Sequence, residues 1–276
     1  MMKLAIDLGG TNVRIGLIDN GKVVRKIVEP CPSDLPCGEG VQYIISLIET
    51  IILPSVRGIG IGVPSVVDAK KGIVYNVANI PSWVEVPLKD ILEEKFRIPA
   101  YVNNDCNCFA LGEKLFGEGI PFNDLVGITI GTGVGGGIIV NGQLYNGNNT
   151  GAGEIGSLPY LAHDFEHYCS SGFFTRYHHL SAKEAHEQAK AGDVRALDIW
   201  NAFGVHFGNL VKAILFAYDP EAIILGGGIT SAFPFFEKKM YETIATFPYA
   251  ETVNNLKIVI SHKEDISLLG ASALIV

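Results

Sequence analysis

The apolar positions at the start of the chain predict short consecutive strands joined by turns. A run from Leu4 to Ile6 ends at the carboxylate of Asp7, and a second run extends from Val13 to Ile18. Asn20-Gly21 follows the second run, and this dipeptide is a strong hairpin signal because both central positions of the turn need positive φ. The pattern therefore predicts a strand, a turn, a second strand, a tight turn and a third strand.

The turn between the first two strands carries groups that suit a phosphate. Gly9 and Gly10 have no Cβ, so their backbone N–H groups can approach an anion closely. The Thr11 hydroxyl and the Asp7 carboxylate can hold a phosphate and its hydrated magnesium ion. A phosphate-binding hairpin is one interpretation of this turn, and an ordinary hairpin with a glycine-rich tip is the other.

The same pattern recurs in the middle of the chain. The strand-like run from Val126 to Ile130 leads into the glycine turn 131–137, and the next strand ends at Asn141-Gly142. Gly-Thr and Asn-Gly both recur at an offset of 121 residues, which indicates a duplicated domain. The turn also fits the G-x-G-x-x-G dinucleotide fingerprint, but that motif must open a helix. Because this one opens a strand, we reject a Rossmann domain and expect two related turns that face each other across a cleft.

Helical periodicity appears between the strands. Apolar residues from Val41 to Ile52 recur at three- and four-residue spacing, and a long amphipathic helix is expected over 193–218. Farther on, the buried strand 222–225 runs into three glycines that leave room for a flat ring or a sugar on the backbone. Lys257 to Ile260 is predicted as the last strand, and Ser267 to Val276 as a closing helix.

Composition excludes several classes of function. With 276 residues, 48% hydrophobic and 18% charged, the chain suits a globular protein of two domains. The net charge of -8 argues against a nucleic-acid partner, and the apolar runs are too short to cross a membrane. The first strand begins within three residues, so we expect no signal peptide and a cytoplasmic protein. Five scattered cysteines are expected to be reduced thiols.

Asp105 is the candidate catalytic carboxylate. It lies where the strand 100–102 and its Asn103-Asn104 extension give way to a helix, so the helix dipole favours its ionised form. Phosphoryl transfer needs mainly alignment and late acceptance of a proton, so a weak, well-placed base suffices. The alternative is that residues 103–105 merely cap the helix. Asn104 can serve as the cap, and for that reason we favour the catalytic interpretation.

Five segments in this order resemble the ROK (repressor, open reading frame, kinase) sugar kinases, which belong to the actin-like ATPase superfamily. They are residues 7–11, 103–105, 131–137, 151–156 and 225–228. The resemblance extends nearly end to end and implies an α/β fold of two RNase H-like domains with a central cleft. We expect an N-terminal domain over 1–117, a larger domain over 118–265, and a helix over 266–276 that packs back on the N-terminal domain.

The resemblance also implies roles for individual residues. ATP and Mg²⁺ would be held by two sets of groups, one in each turn: Asp7, Gly9, Gly10 and Thr11, and Gly131, Thr132 and Gly133. Adenosine would lie near Gly226, Gly227 and Gly228. The sugar would be contacted by Asn79, Asn104, Asp105 and Glu154, with Asp105 as the catalytic base. For Glu154, which lies among glycines, a cap or a salt bridge is the alternative role.

The sequence departs from the family at two sugar-binding positions and at a zinc motif. A histidine of the family is replaced by Ser157, and a glutamate of the family by Thr175. The cysteine cluster that binds structural zinc in relatives is reduced to Cys169, and one thiolate cannot build a tetrahedral site. Nearby histidines offer a replacement, yet we expect no structural zinc. These changes put the identity of the sugar in doubt more than the chemistry.

We therefore expect an ATP-dependent hexokinase of glucokinase type, which phosphorylates a primary hydroxyl of an aldohexose. The alternatives are a kinase for an N-acetylhexosamine such as N-acetylmannosamine, a fructose kinase, or an inactive sugar-binding sensor. A DNA-binding repressor is not expected, because only six residues precede Asp7. The resemblance suggests a homodimer with sugar and ATP as its small-molecule partners.

Overall fold

The structure is a computed structural model that describes all residues from 1 to 276. The chain divides into two compact units. One unit consists of Met1–Asn123, Gly137–Gly153 and His262–Val276, and the other of Asp124–Gly136 and Glu154–Ser261. Both units are assembled from separated stretches of sequence, whereas the predicted domain limits at 117 and 265 are single cuts. Those limits stay a prediction.

The chain forms fifteen strands and ten α-helices. The strands are β1 Met2–Leu8, β2 Asn12–Asp19, β3 Lys22–Pro30, β4 Val56–Val63, β5 Val66–Asp68, β6 Ile73–Tyr75, β7 Glu85–Val86, β8 Ala100–Asn104, β9 Leu125–Ile130, β10 Val134–Val140, β11 Gln143–Leu144, β12 Pro159–Tyr160, β13 His163–Asp164, β14 Ala222–Gly226 and β15 Lys257–Ile260. The helices are α1 Cys37–Ile51, α2 Leu88–Phe96, α3 Asp105–Phe116, α4 Phe165–Cys169, α5 Gly172–His178, α6 Ala182–Lys190, α7 Val194–Tyr218, α8 Phe233–Ile244, α9 Ala250–Asn255 and α10 Ile266–Ala273.

The first sheet has the strand order β3-β2-β1-β4-β8. Strands β1, β2 and β3 pair antiparallel, as the N-terminal pattern predicts, and β1, β4 and β8 pair in parallel. Asn20 and Gly21 have φ of 48° and 71°, so the predicted tight turn with two positive φ values is confirmed. The parallel pairs place the carboxyl ends of β1, β4 and β8 at one edge of the sheet.

Two helices of this unit pack unusually closely because glycines line their contact. A Cβ added at Gly270 in α10 would clash with the carbonyl oxygen of Cys108 in α3, and one added at Gly112 would clash with the carbonyl of Ile266. Helix α10 ends at Ala273, so the prediction that it continues to Val276 is wrong. Helix α3, which begins at Asp105, is thereby fixed against the C-terminal helix.

A small three-stranded sheet, β5-β6-β7, fills the region between β4 and α2. The sequence shows no strand signal here, because each strand has only two or three residues. Helix α1 buries the predicted apolar face and begins at Cys37, ahead of Val41, where the predicted helical spacing starts. Helix α2 buries Leu88 and Leu92.

The second sheet has the order β11-β10-β9-β14-β15, with β9, β14 and β15 parallel. Helix α7 begins after the N-cap Asp193, whose side chain accepts from the backbone N–H of Ala196 (2.8 Å), and it ends at Tyr218 as predicted. Its buried aromatic residues Trp200, Phe203 and Phe207 form the core with Phe174 and Phe236. None of the helices is both long and apolar enough to span a membrane.

Candidate active site

Asp7 lies at the carboxyl end of β1 and is held by an ion pair. Its cross-strand neighbour is Arg14, whose Nη1 donates to Asp7 Oδ2 at 3.0 Å. Only 12% of the Asp7 side chain is exposed, and burial raises its pKa, while the Arg14 charge and hydrogen bond partly offset that rise. Asp7 is therefore a buried carboxylate at the edge where the predicted phosphate turn begins.

The predicted phosphate turn is closed by a backbone hydrogen bond, and its tip is exposed to solvent. The backbone N–H of Gly9 donates to the carbonyl of Asn12 (2.9 Å), and Gly10 and Thr11 are exposed. A Cβ at Gly10 would lie 2.7 Å from the amide nitrogen of Asn79. The side chain of Asn79, a predicted sugar contact, thus lies against the turn that is predicted to bind phosphate.

The register of the first sheet aligns the end of β1 with the end of β8. Asp7 pairs with Gly62 of β4, and Gly62 pairs with Asn103 of β8. Asp7 and Asn103 are therefore two strand spacings apart, roughly 10 Å. A Cβ at Gly62 would stand 3.4 Å from the Cα of Asp105, so the glycine lets the start of α3 approach the sheet.

Asn104 caps helix α3, as the sequence argument proposes. Its side-chain oxygen accepts from the backbone N–H groups of Cys106 (2.8 Å) and Asn107 (3.2 Å). Asp105 is the first residue of the helix, and its Oδ1 accepts from the N–H of Cys106 (2.8 Å) and lies 3.4 Å from the Cys106 Sγ. The cap role thus falls on Asn104, and the Asp105 carboxylate lies at the positive end of the helix dipole.

The buried thiol of Cys108, in α3, lies within the influence of both carboxylates of this unit. Burial raises the pKa of Cys108 well above its usual value, and the negative charges of Asp7 and Asp105 raise it further. Both charges therefore act on the same atom in α3. The structure brings together the predicted Asp7, Gly9, Gly10, Thr11, Asn79, Asn104 and Asp105 within the first unit.

In the second unit, the two predicted nucleotide turns are adjacent. Gly226 ends β14 beside β9, and a Cβ at Gly227, where φ is 90°, would clash with the backbone of Ile130. Gly131 and Gly228 differ from Gly227, because a Cβ added at either one would meet no atom within 4 Å. Thr132 is exposed at the tip of the first turn. Backbone groups with open space in front of them can accommodate a nucleotide.

Glu166 is a candidate that the sequence reasoning missed. Its Oε2 accepts from the backbone N–H of Val134 at 2.9 Å and would lie 2.6 Å from a Cβ at Gly133. Burial raises the pKa of the predicted sugar ligand Glu154, and the Glu166 charge raises it further. Two carboxylates therefore lie near the glycine turn. The signal in the sequence that could have pointed to Glu166 is its place three residues before Cys169, in the first turn of α4.

The remaining predicted residues of this unit lie near the same turn or on α5. Ser157 is exposed in a short 3₁₀ helix, and this helix packs closely on β10, because a Cβ at Gly156 would clash with the carbonyl of Val134. Thr175 is exposed, and its hydroxyl donates to the carbonyl of Gly172 (3.2 Å). Their roles toward a sugar stay predictions.

The region of the expected zinc motif is packed with rings. Cys169 is fully buried in the core, and burial raises its pKa well above the usual value, so its thiol is neutral. His163 stacks on His167 at 3.8 Å, and His167 Nε2 lies 2.9 Å from the Tyr177 hydroxyl. No three His, Cys, Asp or Glu side chains are grouped to hold a metal ion. The expectation about zinc stays a prediction.

The chain is similar to known proteins over nearly its whole length. The model of the ROK family matches residues 3–276. A glucokinase of Thermotoga maritima is 28% identical over 99% of this chain and 96% of its own length. An N-acetyl-D-glucosamine kinase of Yersinia pseudotuberculosis is 30% identical over 90% of this chain and 89% of its own length.

The fold also matches that of a solved structure. The crystal structure of a ROK family glucokinase from Streptomyces griseus, in complex with glucose and AMPPNP, superposes with a TM-score of 0.85 and 25% identity, covering 99% of both chains. The α/β fold class expected from the sequence is thereby confirmed.

Proposed function

The chain belongs to the ROK family, and on that premise we propose that it is a sugar kinase that transfers the γ-phosphate of ATP to a primary hydroxyl of a hexose. The observation that carries this proposal is the start of α3. Asn104 caps the helix, and the Asp105 carboxylate lies at the N-terminus of α3, at the edge of the sheet that also holds Asp7. The relatives that phosphorylate glucose and N-acetylglucosamine support the same chemistry.

Asp105 acts as the base of the transfer. The attacking hydroxyl donates its proton to the carboxylate as the oxygen bonds to phosphorus, and the ADP oxygen leaves on the opposite side. Because the phosphoryl group passes through a loose transition state, holding the hydroxyl in line contributes more than the strength of the base. Asn104 and Asn79 orient the sugar.

The residues present fit ATP with Mg²⁺. Gly9, Gly10 and Thr11 offer backbone N–H groups and a hydroxyl to phosphate oxygens, and Asp7 offers a carboxylate to a hydrated cation. The metal ion would neutralise negative charge on the phosphate oxygens. The open space before Gly131 and Gly228 suits the phosphates and the adenosine.

Glu154 and Glu166 bind hydroxyls of the sugar. A carboxylate can accept hydrogen bonds from two neighbouring hydroxyls, and a site built to bind a hydroxyl discriminates against a sugar that lacks it. Glu166 offers a carboxylate that takes the place of the family glutamate, which this chain replaces with Thr175. This pair makes glucose or an N-acetylhexosamine a suitable acceptor.

The test is release of ADP from ATP-Mg with a panel of sugars, followed by identification of the phosphorylated carbon by NMR. The panel contains glucose, mannose, fructose, N-acetylglucosamine and N-acetylmannosamine. We expect turnover with at least one aldohexose and phosphate on its primary hydroxyl. Binding of a sugar without turnover of any would favour a sensor, and that result would overturn the proposed function.

A further inference from the structure

The carboxamide of Asn103 links the start of α3 to the loop that follows β11. Asn103 lies in β8 and is buried, with only 4% of its surface exposed. Its Oδ1 accepts from the backbone N–H of Asn104 (2.8 Å) and from Nδ2 of Asn107 (2.9 Å). Its Nδ2 donates to Oδ1 of Asn146 in the loop at 2.8 Å. Both ends of this buried carboxamide are therefore hydrogen-bonded, as a buried polar group requires.

The oxygen of Asn103 holds the chain on both sides of Asp105. Asn104 directly precedes Asp105, and Asn107 lies in the first turn of α3. Because donors from both residues converge on one oxygen, that atom fixes the path of the chain through Asp105. The Asp105 carboxylate is further held by the backbone N–H of Cys106, which donates to its Oδ1 at 2.8 Å. The direction of the carboxylate thus depends on the orientation of the Asn103 carboxamide.

Asn146 determines which way the Asn103 carboxamide points. A carboxamide has an acceptor at one end and donors at the other, so a flipped Asn103 would turn its NH₂ group toward two other donors. In the observed orientation, Nδ2 of Asn103 faces the loop and needs an acceptor there. Oδ1 of Asn146 is that acceptor. Without it the observed orientation loses stability, because a buried donor is left without its partner.

We propose that Asn146 is a positioning residue for phosphoryl transfer: it fixes the Asn103 carboxamide in the orientation that holds Asp105 in place for the acceptor hydroxyl. The inference rests on the proposed function for the role of Asp105. Asn146 itself is exposed and lies outside any helix or strand, 43 residues along the chain from Asn103. A change of its side chain therefore leaves the regular elements of the unit intact.

Three variants of the full chain test the proposal. Asn146→Ala removes the acceptor, whereas Asn146→Asp keeps an oxygen that can accept from Asn103. Asn148→Ala is the matched control, because Asn148 is an exposed carboxamide of the same loop. ADP release gives kcat and the KM for ATP, and calorimetry gives the dissociation constant of the sugar. Thermal melts show that each variant is folded.

The expected loss is in kcat and not in binding. Asn146→Ala should lower kcat about tenfold, because a small misplacement of the base is costly in the transition state. Its KM for ATP and its dissociation constant for the sugar should stay within about threefold of the wild type. Asn146→Asp should restore kcat to within about threefold of the wild type, since the acceptor is present again. Asn148→Ala should keep kcat within about twofold.

Hydrogen exchange followed by NMR tests the same link without turnover. The backbone N–H of Asn104 donates to Asn103, so it should open to solvent more often when the carboxamide of Asn103 is no longer held. In the protein without sugar, we expect this N–H to exchange about tenfold faster in Asn146→Ala than in the wild type. Asn148→Ala should leave the exchange rate unchanged.

The inference falls if Asn146→Ala keeps the wild-type kcat, or if the Asn104 N–H of this variant exchanges at the wild-type rate. It also falls if Asn146→Asp is as slow as Asn146→Ala, or if Asn148→Ala is equally slow. Each of these results leaves the proposed function intact, provided that the wild type releases ADP with a sugar. Absence of turnover by the wild type with every sugar overturns the proposed function, and the positioning role falls with it.

Discussion

Replacing Gly228 with alanine tests the nucleotide site with little disturbance of the fold. A Cβ at this position meets no atom within 4 Å, and the φ of Gly228 lies outside the left-handed region. Alanine at a compatible position stabilises a protein by about 0.4–1 kcal/mol, because it restricts the unfolded chain. The folded protein should therefore keep its melting temperature or gain a few degrees.

The substitution should lower the affinity for the nucleotide without lowering the stability of the folded protein. The added methyl group would occupy space that the proposed function gives to adenosine, so the ligand must shift and lose contacts. A loss of about 1.4 kcal/mol corresponds to a tenfold weaker affinity. We expect Gly228→Ala to raise the KM for ATP about tenfold or more at saturating sugar, with the KM for sugar nearly unchanged.

Gly38→Ala is the matched control. Gly38 also faces open space, but it lies in α1, outside both predicted nucleotide turns. The assay measures ADP release against ATP concentration, together with thermal melts of all variants. If Gly228→Ala has the same KM for ATP as the wild type, adenosine does not lie near Gly228. If Gly38→Ala raises the KM for ATP equally, the effect is not specific to the nucleotide turn.

Three further variants test the surroundings of the site. Asp7→Asn should abolish turnover yet stabilise the fold, because burial raises the Asp7 pKa and ionisation of this carboxylate therefore costs stability. In thermal melts, the gain in stability of the variant over the wild type should be absent below about pH 4 and grow as the pH rises toward 7. An equal difference at all pH values would contradict this. Glu166→Gln should lower the pKa of Glu154 and move the acid limb of the pH–rate profile to lower pH, whereas an unmoved limb would show that the two carboxylates do not interact. Gly270→Ala should lower the free energy of unfolding in urea by about 3 kcal/mol or more through its clash with Cys108, and unchanged unfolding would refute the close contact of α3 and α10.

Local signals made parts of both units predictable. The two glycine turns, the Asn-Gly hairpins and the cap at Asn104 each depend on a few consecutive residues, so their residue types specify them directly. Both Asn-Gly turns have positive φ at both positions, at Asn20-Gly21 and at Asn141-Gly142. The duplication was visible because the same turn chemistry recurs at a fixed offset.

Long-range contacts were not predictable in the same way. Glu166 reaches Val134 across 32 residues, and Asn146 reaches Asn103 across 43, and neither pairing leaves a pattern in the sequence. The strands β5, β6 and β7 were missed because two or three residues are too few to show alternation. The discontinuous units follow from pairing of distant segments, which periodicity does not encode.

The rate of phosphoryl transfer by Asp105→Asn tests the central claim most directly. Asparagine keeps the size of the side chain but cannot accept the proton, and general-base catalysis contributes about 10²–10⁴-fold. Asp34→Asn, an exposed carboxylate in the loop before α1, is the control. We predict that Asp105→Asn lowers the rate of ADP release at least about a hundredfold while sugar binding measured by calorimetry stays within a few fold. Turnover by Asp105→Asn at the rate of the wild type would contradict the account.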